Sequence, residues 1–306
     1  MTLLPRIAAR LFDTPLLVDP RKAAAILGAL GGRLVPGATE LDGITAATHV
    51  AFSNGRMGVV GDPLGSAFER SDKGSRLVPL VADGVGIIEV QGSLVHKGGW
   101  IGSYSGETSY QGIQAQVARA RRDDRIKAVA FEIDSFGGEV DGAFATADMI
   151  AQLSAEKPTI AILTDSALSA GYLMASACRQ IVAPPTGWAG SIGVISMHLD
   201  VSTMMEGQGA KVTLITSGAH KADGNPYEPL PDDVRAKWQT AVDQQRDLFA
   251  AYVGRGRGQR LTKADALKTE ADVFSGREAK SRGLIDAVGN PADAFASFLK
   301  QVNSRR

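Results

Sequence analysis

Between residues 84 and 183, short apolar segments alternate with longer amphipathic ones, and this alternation constrains the fold more than any other feature. Segments 86–94, 128–133 and 159–163 have the length and apolar composition of buried strands. Segments 110–122 and 140–155 instead repeat apolar residues at helical spacing. Strands joined by helices form parallel sheets through right-handed crossovers. The sequence therefore predicts an α/β domain.

The same reasoning predicts a domain division and further elements toward the carboxyl end. The further elements are a helix over 169–179, strands over 180–183, 192–197 and 212–216, a long helix over 232–253 and a helix over 293–302. The predicted divisions are a helical extension (1–50), a linker (51–83), the main domain (84–290) and a terminal helix (291–306). Residues 52–78 are rich in Gly, Ser, Asp and Arg, so we predict a long loop there, and self-cleavage within it is a hypothesis.

Composition argues against several classes of partner. The 33 basic and 33 acidic residues cancel, which leaves no net field to favour nucleic acid or an anionic membrane. The one cysteine and the four scattered histidines predict no disulfide, no metal site and no cofactor. The amino terminus lacks the apolar core of a signal peptide, and no uncharged apolar run approaches the roughly 20 residues of a membrane span. We therefore expect a soluble, cytoplasmic protein.

Two segments stand out at the ends of predicted strands. Segment 134–138, DSFGG, follows a strand, and paired glycines there would let backbone N–H groups face an anion or oxyanion. A plain strand-to-helix turn is the structural alternative. Segment 164–172, TDSALSAGY, brings a strand into Ser169, whose small neighbours Ala170 and Gly171 would permit a sharp turn and close approach of a substrate. A serine at a helix start could equally be a capping residue.

The third segment, 217–229 (SGAHKADGNPYEP), carries Lys221 in a loop that follows a predicted strand. Most loop lysines are solvated charges. A lysine that acts as a general base must be largely neutral near pH 7. Its pKa must therefore lie about three below its ordinary value of roughly 10.4. Only enclosed and mostly apolar surroundings impose such a shift. The segment alone leaves both interpretations open.

Taken together, these segments resemble the signal peptide peptidase A family of serine peptidases. The resembling stretches are LSAGYLMASACRQIVAPPTGWAGSIGVI (168–195), SGAHKADGNPYEPLP (217–231) and VFSGREAKSRGLIDAVG (273–289). The residues of the second stretch and the segment IAARLFDTPLLVDPRKAAAIL (7–27) are closer to the phage branch of the family. Members of that branch are head-maturation (capsid assembly) proteases. The resemblance implies a ClpP/crotonase-like fold of repeated ββα units with flanking helices.

The resemblance also implies the site. Ser169 matches the nucleophile, Lys221 the general base, Ser191 the helper serine, and Gly138 with the N–H of Ala170 the oxyanion hole. This chain departs from the family at two places: it has Ala170 where a glycine is common and Phe136 where proline is common. Neither change removes a catalytic side chain, although Ala170 slightly narrows the oxyanion region.

The implied partners are polypeptides, namely scaffold, capsid or portal proteins, with action in the host cytoplasm or inside the assembling prohead. A homo-oligomer is expected because the fold group builds rings.

Four alternatives stay open at the level of the sequence. The chain could degrade signal peptides as bacterial members of the family do, act on acyl-CoA as crotonases do, or be a scaffold or assembly protein without catalytic activity. A histidine base is the fourth: His198 with the nearby Asp200 could serve Ser169 in a Ser-His-Asp arrangement.

Overall fold

The computed structural model describes residues 15–18, 80–97, 103–104 and 106–304, with the backbone alone for 80–82 and 103–104. Its strands are β1 (Leu16–Val18), β2 (Leu80–Ala82), β3 (Val85–Val95), β4 (Ser103–Tyr104), β5 (Glu107–Ser109), β6 (Ala128–Glu139), β7 (Thr159–Leu168), β8 (Gln180–Ala183), β9 (Trp188–Gly190), β10 (Val273–Ser275) and β11 (Ala287–Val288). Its helices are α1 (Tyr110–Arg122), α2 (Ala143–Glu156), α3 (Ala170–Ser176), α4 (Ser202–Gly207), α5 (Asp232–Arg257), α6 (Lys263–Lys268), α7 (Gly276–Ser281) and α8 (Pro291–Asn303), with a 3-10 turn at Gly258–Arg260.

The described strands form one sheet, whose main path runs β10-β9-β7-β6-β3-β5-β4. The three long strands β3, β6 and β7 are parallel to one another, and helices α1 and α2 connect them. Antiparallel pairs occur where β1, β2, β4 and β10 join the sheet. The predicted α/β class, with a parallel sheet and flanking helices, is confirmed.

Both faces of this sheet are buried, which explains why its strands are almost continuously apolar. On β6, Val129, Phe131 and Ile133 point into the larger core cluster, to which α1, α2, α3 and α5 also contribute side chains. The alternate residues Ala128 and Ala130 belong to a second cluster, which Phe295 and Phe298 of α8 cover from the other side. Successive side chains of a strand point to opposite faces, so one strand feeds both clusters.

Two predicted elements have the predicted bounds at both ends, and two others differ at one or both ends. The helix over 110–122 and the strand over 180–183 have the predicted ends. The helix predicted over 140–155 starts later, at Ala143, because Gly142 precedes it in the left-handed region with a φ of 87°. The long helix α5 begins at Asp232, directly after Pro231, and runs four residues beyond the predicted end at 253.

Two predicted strands are wrong. Residues 192–197 form no strand, and Ile195 makes one isolated bridge with Leu16. Residues 212–216 form none either, and every residue from 211 to 221 is exposed. Their apolar, β-branched composition led to the prediction. In the described part of this chain, however, 192–197 meets β1 only at Ile195, and 212–216 pairs with no strand, so neither completes a ladder.

The amino-terminal predictions are tested only in small part. Within the predicted helical extension 1–50 the structure describes residues 15–18, and these form strand β1 rather than a helix. The predicted loop over 52–78, with its hypothesis of self-cleavage, lies outside the described residues. The predicted domain boundaries therefore stay predictions.

Candidate active site

Ser169 and Ser191 lie side by side because each follows directly after one of two neighbouring strands. Strands β7 and β9 are parallel and pair in register, with Leu168 opposite Gly190. The residue after each strand is a serine. The N–H of Ser169 donates to the carbonyl oxygen of Gly190 at 3.0 Å, which ties the two strand ends together. The sheet register therefore brings together two of the predicted site residues.

Both serines have a backbone conformation that is unusual for a residue with a side chain. The φ angles are +52° at Ser169 and +55° at Ser191, in the left-handed region that favours glycine. Such strain costs of order 1–3 kcal/mol and persists where the surrounding structure imposes it, often at functional sites. Here the hydrogen bonds of the adjoining strand ends hold both residues: the N–H of Ser191 donates to the carbonyl oxygen of Asp272 at 2.9 Å.

The hydroxyl of Ser169 is buried and makes no hydrogen bond within the described part of the chain. Ser169 is 0% exposed, and its Oγ has no hydrogen-bond partner among the described residues. Its position before α3 is that of a helix cap, yet the side chain makes no capping hydrogen bond, and only its carbonyl oxygen accepts, from Leu173 N–H at 2.9 Å. The capping alternative is thus not observed. A buried hydroxyl without a partner is costly for stability, which indicates another role.

Segment 134–138 does not form the strand-to-helix turn that was its structural alternative, but continues β6 through to Glu139. Gly137 has a φ of +98°, and a Cβ placed on it would lie 1.9 Å from the Leu17 carbonyl oxygen, 2.9 Å from Ser169 Cβ and 3.0 Å from Ala170 N. A glycine is therefore required at this point of the site, which the sequence analysis missed by naming Gly138 alone. The nearest atoms to a Cβ on Gly138 belong to Leu94 of β3.

Small residues also surround the start of α3. A Cβ on Gly171 would lie 2.8 Å from the carbonyl oxygen of Ser135, so α3 packs closely against β6. The hydroxyl of Ser135 donates to the Gly92 carbonyl oxygen at 2.7 Å and accepts from Gly137 N–H at 3.2 Å. This buried pairing fixes the irregular stretch of β6 that runs past Ser169.

Lys221 lies on a loop that contacts helix α5 and is not bound to either serine. Asp223 accepts from Lys237 Nζ of α5 at 3.2 Å. Gly224, with a φ of +74°, packs so closely that a Cβ there would be 2.3 Å from Trp238 Cζ2. Lys221 itself is exposed, whereas Ser169 is fully buried, and no hydrogen bond joins its amine to Ser169 or Ser191 in the described chain. The structure thus brings together Ser169, Gly137 and Ser191, but not Lys221.

The loop of Lys221 is part of a larger projection, residues 193–248, which we call the arm. Within the arm only Gly224 and Val234 are buried. Large apolar side chains are open to solvent near its middle: Leu214 is 44% exposed and Ile215 is 96% exposed. Helix α5 begins in the arm and enters the core only from Phe249 onward. Large apolar side chains exposed on a mostly exposed segment are typical of a surface that packs against another molecule.

The alternative base His198 also lies in the arm, where its ring packs edge-on to Trp238 with centroids 6.1 Å apart. Asp200 is engaged elsewhere: its Oδ1 accepts from Ser202 N–H at 2.8 Å, and hydrogen bonds from Ser202 lower the pKa of this carboxyl below its ordinary value. No hydrogen bond links His198 to Ser169 among the described residues, so a Ser-His-Asp arrangement is not formed in this chain.

Two further observations concern residues that the structure describes. No three of their His, Cys, Asp and Glu side chains gather into a group that could hold a metal ion. None of the described helices has both the length and the apolar composition needed to cross a bilayer.

Comparison with known proteins places this chain in a family. The sequence model of Peptidase family S49 matches residues 151–305, and that of Clp protease matches residues 95–186. Capsid assembly protease C of Escherichia phage lambda is 37% identical over 99% of this chain and 67% of its own length. The chain belongs to peptidase family S49. Head-tail preconnector protein GP5 of Enterobacteria phage P21 is also 37% identical, over 98% of this chain and 58% of its own length.

A plant member is more distant: Serine protease SPPA, chloroplastic, of Arabidopsis thaliana is 28% identical over 72% of this chain and 33% of its own. The resemblance predicted from the sequence is confirmed, and with it membership of a serine peptidase family. This S49 member spans about two thirds of the lambda protein and 58% of the P21 protein. The match of residues 151–305 includes both serines and the arm.

Proposed function

We propose that this S49 member is a serine endopeptidase with Ser169 as nucleophile. The observation that carries the proposal is Ser169 itself: a buried hydroxyl without a hydrogen-bond partner, on a backbone with a φ of +52°, next to a glycine that leaves room beside it. In the proposed site Lys221 is the base, Ser191 orients the lysine amine, and the N–H groups of Gly138 and Ala170 form the oxyanion hole.

The proposed reaction is acyl transfer. The neutral amine of Lys221 takes the proton of the Ser169 hydroxyl as Oγ attacks the scissile carbonyl carbon. The oxyanion that forms accepts hydrogen bonds from backbone N–H groups. The lysine ammonium then gives its proton to the leaving amine nitrogen as the peptide C–N bond breaks. Water attacks the acyl-enzyme ester and gives a proton to the lysine amine. As the ester C–O bond breaks, the lysine ammonium returns this proton to Ser169 Oγ, and the new carboxyl group is released.

We further propose that Lys221 completes the site of a second copy of the chain. A lysine amine is neutral near pH 7 only in enclosed, mostly apolar surroundings. In the single chain Lys221 is exposed and Ser169 is buried without a base. The loop of Lys221 is nevertheless held firmly on α5 by Asp223 and Gly224. An exposed lysine on an arm that also exposes Leu214 and Ile215 supports a homo-oligomer in which the arm of one copy reaches the serines of its neighbour.

For the substrate, we propose a protein of an assembling phage head, that is, a scaffold, capsid or portal protein processed in the host cell or inside the prohead. The support is the 37% identity to a capsid assembly protease over nearly the whole chain. Degradation of signal peptides, as the names of more distant S49 relatives suggest, is the alternative.

The test compares variants in two assays. In casein turnover, we expect Ser169→Ala to abolish activity and Ser176→Ala to retain it, since Ser176 lies on the same helix with its hydroxyl bound to the Leu173 carbonyl oxygen. Lys221→Ala is expected to be inactive and His198→Ala active; the reverse pattern would overturn the lysine base. Co-expression with neighbouring head genes should give cleaved partners only with an intact Ser169. Casein turnover without any cleaved head protein would contradict the head-maturation role.

A further inference from the structure

The amino-terminal strand β1, Leu16–Val18, lies against the site from outside the main domain, and we call it the strap. It pairs antiparallel with the irregular end of β6, with Leu16 opposite Glu139, Leu17 opposite Gly138 and Val18 opposite Gly137. On its other side Leu16 exchanges two backbone hydrogen bonds with Ile195, Leu16 N–H to Ile195 O at 2.7 Å and Ile195 N–H to Leu16 O at 2.9 Å. The strap is thus an extended segment inserted between two backbone edges.

The strap also reaches the nucleophile. The carbonyl oxygen of Leu17 lies 1.9 Å from the point where a Cβ of Gly137 would stand, and Ser169 Cβ and Ala170 N lie 2.9 and 3.0 Å from the same point. The strap carbonyl, the nucleophilic residue and the proposed oxyanion donor therefore border one small space that only a glycine leaves open. An extended chain whose carbonyl oxygen borders this space lies on the path that a peptide substrate would take to reach Ser169.

Burial shows that the strap is firmly seated. Leu16, Leu17 and Val18 are 3%, 0% and 8% exposed, and Leu17 is part of the main core cluster. Peptide ligands commonly bind by adding a strand to an exposed sheet edge, where backbone hydrogen bonds give affinity and alternate side chains fill pockets. The strap pairs with the sheet edge through its backbone and buries its side chains in the same way, although it is part of the same chain.

We propose that the strap occupies the substrate-strand position in cis and holds the peptidase in a self-inhibited state until it is displaced. This inference rests on the proposed serine peptidase function. A polypeptide substrate that adds to the end of β6 beside Ser169 requires the backbone edges that β1 and Ile195 now share. Strap and substrate then exclude each other, so the strap raises the apparent KM for a peptide and leaves kcat unchanged.

A disulfide tests the position of the strap without reference to activity. Leu16 and Ile195 form a hydrogen-bonded antiparallel pair, for which the Cα separation of about 5.5 Å suits a disulfide. In the full chain, Leu16→Cys with Ile195→Cys should oxidise to a bond within one chain, detected by mass and by mobility on a non-reducing gel. Cys178, which is buried and whose pKa burial raises, does not compete. No bond, or a bond between two chains, would overturn the placement in cis.

Activity then tests the inhibition. The oxidised double variant should be inactive on a fluorogenic peptide and regain activity with reductant, whereas each single cysteine variant responds to neither treatment. Leu17→Asp should lower KM by about ten- to a hundredfold at constant kcat, the range expected from losing the burial of one leucine side chain, and Leu17→Met should stay at the wild-type value. Equal KM values in all forms would overturn the inhibition. If no form turns over peptide or reacts with a serine-directed reagent, the peptidase function fails, and the disulfide alone decides whether the strap occupies the site.

Discussion

A site shared between two copies of the chain has a quantitative consequence for mixtures of inactive variants. Ser169→Ala lacks the nucleophile and Lys221→Ala lacks the base, so each variant alone is expected to be inactive. The exposed Lys221 and the buried Ser169 of one chain are not joined, and we infer that the arm of one copy reaches the serines of the next. In a head-to-tail ring, every interface pairs a serine from one copy with a lysine from its neighbour.

Random assembly of the two variants in equal amounts sets the expected recovery. Half of the serine positions come from Lys221→Ala chains and carry an intact nucleophile, and half of the neighbouring arms come from Ser169→Ala chains and carry an intact base. About a quarter of the sites are then complete, so co-expressed variants should recover about a quarter of wild-type casein turnover.

The control replaces the Lys221→Ala partner with a chain that carries both substitutions, which can restore no site in either arrangement. Native mass spectrometry verifies that mixed oligomers form. An inactive mixture in which mixed oligomers are present would refute a site shared between copies and place the dyad within one chain.

Three further predictions concern the framework around the site. The carboxyl of Asp286 binds the fully buried guanidinium of Arg257; burial alone would raise its pKa, but the hydrogen bonds and charge of Arg257 outweigh burial and lower it. Asp286→Asn should therefore cost about 3 kcal/mol in urea unfolding at pH 7. A carboxyl whose pKa is lowered in the folded state stabilises the fold above the ordinary carboxyl pKa, and this contribution is lost as pH falls through the folded-state pKa. The difference in unfolding free energy between wild type and Asp286→Asn should therefore narrow below about pH 4. A difference that stays constant with pH would contradict this explanation. Gly224→Val should detach the Lys221 loop from Trp238 and abolish casein turnover while the melting temperature stays near that of the wild type, whereas normal turnover would show that the brace is dispensable. Native Cys178, buried with a raised pKa, should resist iodoacetamide at pH 8 and react only in urea; rapid native alkylation would refute its burial.

The central sheet could be predicted from the sequence because strands buried on both faces appear as short, nearly continuous apolar segments. Strands β3, β6 and β7 need apolar side chains on every residue or nearly so, and the helices between them need apolar residues on one face. Ser169 was identifiable for a related reason, since it directly follows an apolar strand, whereas Ser191 was identified only through the family resemblance. That Ser169 and Ser191 become neighbours depends on the pairing of Leu168 with Gly190, a long-range register that no local pattern encodes.

The wrong strand predictions share one physical cause: whether a segment forms a strand depends on the neighbouring strand with which it can pair. Segments 192–197 and 212–216 have strand-like composition, yet the first makes a single bridge and the second is exposed along its length. Conversely, Leu16–Val18 was assigned to a helical extension although it lies just before an Asp-Pro helix start and just after Pro15. A residue before a proline disfavours helical backbone, so Pro20 argues against a helix that continues through Asp19. That signal was available, but which edge the segment joins could only come from the fold.

The most direct test of the nucleophile is its covalent capture. A fluorophosphonate reagent, added to the full chain and followed by proteolysis and mass spectrometry, should modify one residue, Ser169. The adduct should be absent in Ser169→Ala and present in Ser176→Ala, whose altered residue lies on the same buried helix. An adduct on any other residue, or continued casein turnover by the Ser169→Ala variant, would contradict the assignment of Ser169 as the nucleophile.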